Sequence, residues 1–290
     1  MSERYFLGIW PGDYAMSEQV KKSGKNKFGL SRKIPPHIKR EVRKRCGFGC
    51  IICGCGLIQY EHVDPEFHEA EFHDPQAIVT LCPTCHASVT SKFWSKDRVK
   101  RHALDPACLK EGFLKHVFDF YSDGHPSVQF GGALLKNCPT PVEMFGTPLI
   151  SIKPPECEGG PFLLSGTFCD KSGSPTLKIV DNEWIAYSDS WDVEVSAGGI
   201  TVRNGPRDVV LKLSVLPPHT LVVERLKMTY GFIDIDVTGD ELRINTHTFT
   251  GCVMDGCAIG FCLYPLEKTG IDPNFTPLAS IIRRQIEMLA

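Results

Sequence analysis

The chain has 290 residues, 42% hydrophobic and 23% charged, with a formal net charge of −2. This is the composition of a soluble globular protein, and no apolar run approaches the roughly 20 residues that cross a bilayer. Thirteen cysteines, an odd number behind an N-terminus (M-S-E-R-Y-F-L-G) that makes a poor secretion signal, point to a reduced cytoplasmic compartment, where Cys pairs hold metal rather than disulfides.

The charge is unevenly spread. Residues 1–120 carry a net +5 and residues 121–290 a net −7. The basic excess is densest over residues 20–45, where 11 Lys and Arg face Glu41 alone. Such a run is often a plain solvated face, but beside a metal site it is better explained by phosphate.

In chain order, an aromatic and basic arm fills residues 1–33. Pro35-Pro36 opens a helix, because Pro fits a first turn. Ile38, Val42 and Cys46 recur every four residues and form its buried stripe, with Lys39, Arg40, Arg43 and Lys44 facing outward. Gly47 ends it. Cys50-Ile-Ile-Cys53 is a tight knuckle, and a short strand at Leu57–Tyr60 delivers Glu61 and His62. Ile78–Leu81 is an apolar run leading to Cys82-Pro-Thr-Cys85-His86. A helix follows from His86, a second is capped by Ser95 and exposes Lys96 and Arg98, and a third runs from Asp105-Pro106 to about Tyr121.

Beyond Gly124 the pattern becomes β-branched and alternating, over Leu177–Val180, Trp191–Val195, Ile200–Arg203, Val209–Val215, Leu221–Val223, Phe232–Val237, Leu242–Ile244 and Gly260–Leu263. Gly, Pro and Asn turns separate these runs, as in a β-sandwich or barrel. Pro277–Leu289 is an amphipathic helix. The expected fold is therefore α+β: an arm at 1–33, a zinc-bound domain at 34–122 and a mostly-β domain at 123–290. The acidic β half suits sensing, partner binding or self-assembly into a homo-oligomer.

Two Cys-x-x-Cys knuckles supply the four ligands of a closed tetrahedral Zn²⁺ site: Cys50, Cys53, Cys82 and Cys85. So small a lobe needs the ion, having little core of its own. The other nine cysteines, Cys46 and Cys55 among them, read as small packing residues. Clamping the knuckles lets Glu61, His62 and His86 converge. A Glu and a His suit Mg²⁺, Mn²⁺ or Ni²⁺ with open water positions, and the remaining His can act as base on water. Ordinary packing histidines are the bland alternative, which three polar residues at this placement disfavour.

Together, the first knuckle, Tyr60-Glu-His-Val-Asp-Pro65 and Leu81-Cys-Pro-Thr-Cys-His86 resemble the HNH endonucleases, over about residues 34–92. The resemblance implies a zinc-stapled ββα-metal domain that hydrolyses phosphodiesters in nucleic acid, double-stranded DNA in the first instance. It makes His62 the general base, and Glu61 and His86 ligands of the catalytic metal. It leaves a 5′-phosphate and a 3′-hydroxyl as products and suits restriction or antiviral defence. Lys39, Arg40, Arg43, Lys44, Lys96 and Arg98 are the expected nucleic-acid contacts. At the family's Asn position this chain has Ala77, which can neither orient a base nor hold a metal. Gln76 and His73 are the neighbours able to stand in; otherwise the chain is a weakened or inactive nucleic-acid-binding zinc protein.

Overall fold

A computed structural model of the protein describes residues 24–196, 198–216 and 220–263. Residues 1–23 of the arm and the helix expected over Pro277–Leu289 lie outside the described residues. The fold is mixed α+β, mostly strand, with a small helical lobe carrying the cysteine cluster near the N-terminus.

The lobe begins with α1 (Pro36–Arg45), whose first helical residue is the predicted Pro. Val42 is fully buried and Cys46 closes the stripe beneath it. A hairpin follows, β1 (Gln59–His62) against β2 (Ile78–Leu81), with Glu61 opposite Val79 and His62 opposite Ile78. The strand thus starts two residues later than expected and includes both Glu61 and His62. Helix α2 (Pro83–Thr90) starts before His86, because Pro83 occupies a first-turn position and Cys82 caps it. Helix α3 (Lys96–Leu104) has the predicted cap, with the Ser95 hydroxyl accepting from Arg98 N–H. Among the described residues the lobe's own core comprises thirteen buried side chains, and three of them are Cys50, Cys82 and Cys85.

The third predicted helix is cut short. Helix α4 covers only Ala107–Glu111 and stops at Gly112, which takes φ 83°, a left-handed conformation that glycine adopts without steric cost. The next five residues alternate instead of following a helical period, and form β3 (Phe113–Val117) with Leu114 fully buried. This strand pairs antiparallel with Glu183–Tyr187. Residues expected to close the first domain therefore start the β half.

Two sheets make up that half. In the seven-stranded sheet, five consecutive strands from Thr140–Met144 to Glu183–Tyr187 form an antiparallel meander, with β3 at one edge and Ile259–Leu263 parallel at the other. The second sheet is a meander from Asp192–Ser196 to His247–Phe249, extended by Ser127–Phe130 running parallel to the start of Thr220–Tyr230. One core joins the two sheets, with Phe168 and Ile150 of the first facing Leu226 and Ile235 of the second around a small apolar void. Phe48 and Cys108 of the lobe belong to this core too. The cysteines divide: Cys46, Cys108, Cys138 and Cys169 are buried as expected, but Cys157 and Cys262 are exposed and cannot be core packing residues.

The lobe is fastened to the β half by α1. Arg43 forms a bidentate pair with Asp192, the closest contact being 2.9 Å, and both side chains are buried. The Arg43 Nη1 also donates to the Tyr60 hydroxyl at 3.0 Å. Burial alone would lower the Arg43 pKa, but hydrogen bonding to Asp192 reverses that and holds the guanidinium charged. Arg203 bridges Asp192 and Glu194, each at 3.3 Å. One turn earlier on the helix, Arg40 lies 3.3 Å over the Trp191 ring and donates to the Trp191 carbonyl at 3.2 Å.

Candidate metal centre and adjoining cleft

The ligand atoms of Cys50, Cys53, Cys82 and Cys85 all lie within 4.8 Å of one another. Local backbone chemistry places them. The first knuckle closes when Gly54 N–H donates to the Cys50 carbonyl at 2.9 Å, and Gly54 takes φ 73° to do so. In the second, the Cys82 sulfur caps α2 by accepting from Cys85 N–H at 3.4 Å. The Cys53 sulfur is 3.7 Å from that of Cys82 and 3.9 Å from that of Cys85. Zinc–sulfur bonds of about 2.3 Å in a tetrahedron put sulfurs about 3.8 Å apart, so the donor set fits a metal such as zinc.

Without an ion the four thiols favour their protonated form. The Cys53 thiol is pushed up by its hydrogen bond with Cys50 and then by burial, and burial pushes Cys85 up to about 12. Four crowded sulfurs do not ionise together unaided; a cation among them inverts that preference and deprotonates them. Cys55 is not a fifth member of the set, since its sulfur points to the Leu57 carbonyl at 3.9 Å.

A cleft opens beside the cluster, lined by Glu61, His62, His86, Lys96, Arg32 and Phe67 among others. The hairpin and α2 bring Glu61 Oε2 within 3.0 Å of His86 Nε2. That separation is the length of a direct hydrogen bond or ion pair, and it is also about the distance between two adjacent ligands of a small octahedral ion. The other Glu61 oxygen is paired with Lys96 Nζ, which also donates to the His62 carbonyl at 3.2 Å.

His62 is buried, with its edge toward Phe67 at a centroid distance of 5.4 Å. Burial first, then the neighbouring His73, lowers its pKa below the ordinary 6.5, against the opposing pull of Glu61. The ring is therefore neutral at pH 7 and has a lone pair to offer a proton. Its Nε2 lies 3.1 Å from His73 Nδ1. Gln76 is exposed, with its backbone N–H bound to the Asp74 carboxylate at 2.9 Å. The Ala77 methyl is buried, and its carbonyl accepts from Val63 N–H at 2.8 Å. Of Gln76 and His73, the one that reaches His62 is His73.

The basic residues expected to meet nucleic acid are scattered over different jobs. Arg43 is a correction: it faces inward, in the buried pair with Asp192. Arg40 is stacked on Trp191, and Arg98 on Trp94 with its guanidinium 4.0 Å from the ring. Lys39 lies 5.3 Å over the Tyr60 ring, and Lys96 is engaged with Glu61. Lys44 remains exposed, as do Lys92 and Arg101, which sequence reasoning had not singled out as contacts. Asp192 and Trp191, at the start of the expected Trp191–Val195 strand, are the β half's grip on the lobe. Their partners are about 150 positions away in the chain, so no local signal marked them.

Comparison of the chain with protein-family models, curated proteins and solved structures finds no match among any of them.

Proposed function

We propose that the chain is a metal-dependent endonuclease of the HNH type, hydrolysing phosphodiester bonds in nucleic acid, double-stranded DNA in the first instance. The observation that carries this reading is the meeting of Glu61, His86 and a neutral, buried His62 in one cleft on a cysteine-stapled hairpin and helix. Glu61 and His86 would hold Mg²⁺, Mn²⁺ or Ni²⁺. When bound, such an ion supplies positive charge to the scissile phosphate and the departing oxygen. His62 takes the proton of the attacking water, whose oxygen bonds to phosphorus while the bond to the 3′-oxygen breaks; that oxygen takes a proton from solvent, leaving a 5′-phosphate and a 3′-hydroxyl. Lys96 pairs with Glu61 and with the His62 carbonyl, and so holds both residues at the mouth of the cleft.

The β half then controls or directs cutting, through a partner, a ligand or a second copy of the chain, in a cytoplasmic role such as restriction or antiviral defence. The test is a nicking assay on supercoiled plasmid with each metal in turn. Nicked product that disappears with EDTA and with His62→Ala is expected.

Two observations favour a second reading, a nucleic-acid-binding zinc protein that does not cut. The position that carries Asn in the HNH family has only the buried Ala77 methyl, and Lys96 already neutralises Glu61. That reading predicts salt-sensitive binding indifferent to Mg²⁺, Mn²⁺ and Ni²⁺, with no product at any metal.

A further inference from the structure

The two readings part at the missing Asn, and the contact between two histidines bears on which is right. His62 and His73 are each 8% exposed, their rings 5.3 Å apart and tilted by 45°. The 3.1 Å line from His62 Nε2 to His73 Nδ1 must carry one proton, since two neutral imidazoles share a hydrogen bond only if one donates and the other accepts. If His73 donates, the His62 proton sits on Nδ1 and both ring nitrogens of the base are occupied. If His62 donates, its Nδ1 keeps the lone pair. That nitrogen has no hydrogen-bond partner among the described residues, and the ring lines the cleft. Only the second arrangement leaves a base.

We propose that His73 is a positioning residue that accepts the His62 Nε2 proton and so fixes the ring with its Nδ1 lone pair free to take a proton from water. This inference rests on the nuclease reading and deepens it by supplying the orienting group that Ala77 lacks. His73 reaches this position from the irregular segment between the two hairpin strands, eleven residues beyond His62. Its far nitrogen, Nε2, which carries the ring's own proton in this arrangement, is buried and has no partner among the described residues. A proton arriving on His73 therefore has no onward acceptor, which makes His73 a support for the base and not a relay. When His62 takes up the water proton, the bond from Nε2 to His73 strengthens as the donor becomes cationic. The segment is fastened independently of His73. The Arg45 guanidinium donates to the Pro75 carbonyl at 3.0 Å, and Asn26 Nδ2 donates to the carbonyls of Phe67 at 2.7 Å and Ala70 at 2.6 Å.

The experiment has two arms on the full-length, zinc-loaded chain. In the first, ring nitrogens of ¹⁵N-histidine-labelled wild type are assigned by NMR, with His62→Asn identifying the His62 signals. The expected result is His62 protonated at Nε2 and bare at Nδ1. His62 protonated at Nδ1 overturns the proposal, whether or not the chain cuts. In the second arm, plasmid nicking by wild type is compared with His73→Ala, His73→Asn and His73→Gln, with zinc content confirming the fold. Loss of an orienting partner is expected to lower kcat about 10–100-fold with KM unchanged, and the amide variants, which retain an acceptor, should recover part of it. His73→Ala within twofold of wild type overturns the proposal. A wild type that fails to nick whichever metal is supplied overturns the nuclease reading instead, and the first arm still decides the bond.

Discussion

The lobe and the β half are stabilised in opposite ways. Among the described residues, the core that spans the two sheets holds 39 buried side chains, Phe48 and Cys108 of the lobe included, whereas the lobe's own core has thirteen, three of them cysteines of the cluster. Where apolar burial is plentiful, the chain needs no special chemistry to fold. Where it is scarce, four cysteines lie close enough to hold a metal such as zinc, and the backbone around them displays charged and titratable groups. The comparison teaches why the polar constellation of Glu61, His62, His73, His86 and Lys96 is found on the smaller region.

Removing the metal should break the comparison most severely. Structural zinc is worth about 10–16 kcal/mol in small folded peptides, comparable to the whole net stability of about 5–15 kcal/mol of a typical domain. Cys82→Ser, or chelation of wild type, should melt the hairpin and α2 while the two sheets keep their cooperative transition. Hydrogen exchange resolved by segment would show this. Protection of the lobe equal to wild type after loss of the ion would mean that its core suffices alone.

The next effect tests the seam between the regions. Asp192→Ala leaves the Arg43 charge buried without its partner and should cost about 3–5 kcal/mol. Replacing both residues by apolar ones of similar size, Arg43→Met with Asp192→Leu, should come out near neutral. Urea unfolding of the single and double variants measures both, and a single-variant loss below about 1 kcal/mol would show the pair to be unimportant. Trp191→Ala, which removes the aromatic face under Arg40, should cost about 1 kcal/mol in the same titration. The smallest change is expected at exposed cations: Lys44→Ala and Arg101→Ala should leave stability untouched and each reduce the salt slope of DNA binding by about one.

Much of this contrast was legible in the residues. The spacing of Cys50, Cys53, Cys82 and Cys85 identified the cluster, because a tetrahedral ion demands two close pairs. Runs such as Val209–Val215 and Phe232–Val237 announced strands by alternation between turn residues. The edge strand Phe113–Val117 was missed because Asp105-Pro106 is a sound helix start and only Gly112 marks how soon that helix ends. Helical periodicity placed Ile38, Val42 and Cys46 inward but took Arg43 for a surface residue. Its burial is imposed by Asp192, 149 positions away, and tertiary pairing at that distance leaves no local trace. His73 was visible only as one polar neighbour among several; the fold, by burying it against His62, separates it from Gln76.

The central claim, that the stapled hairpin and helix form a hydrolytic site, is tested most directly by plasmid nicking with purified wild type, Glu61→Ala and His62→Ala. Each protein is confirmed to contain zinc and assayed in Mg²⁺, Mn²⁺ and Ni²⁺. The account predicts metal-dependent nicking by wild type that falls by about 10²–10⁴-fold when the base is removed, with the zinc content of all three proteins equal. No nicking by wild type at any metal, or equal nicking by all three proteins, would contradict it.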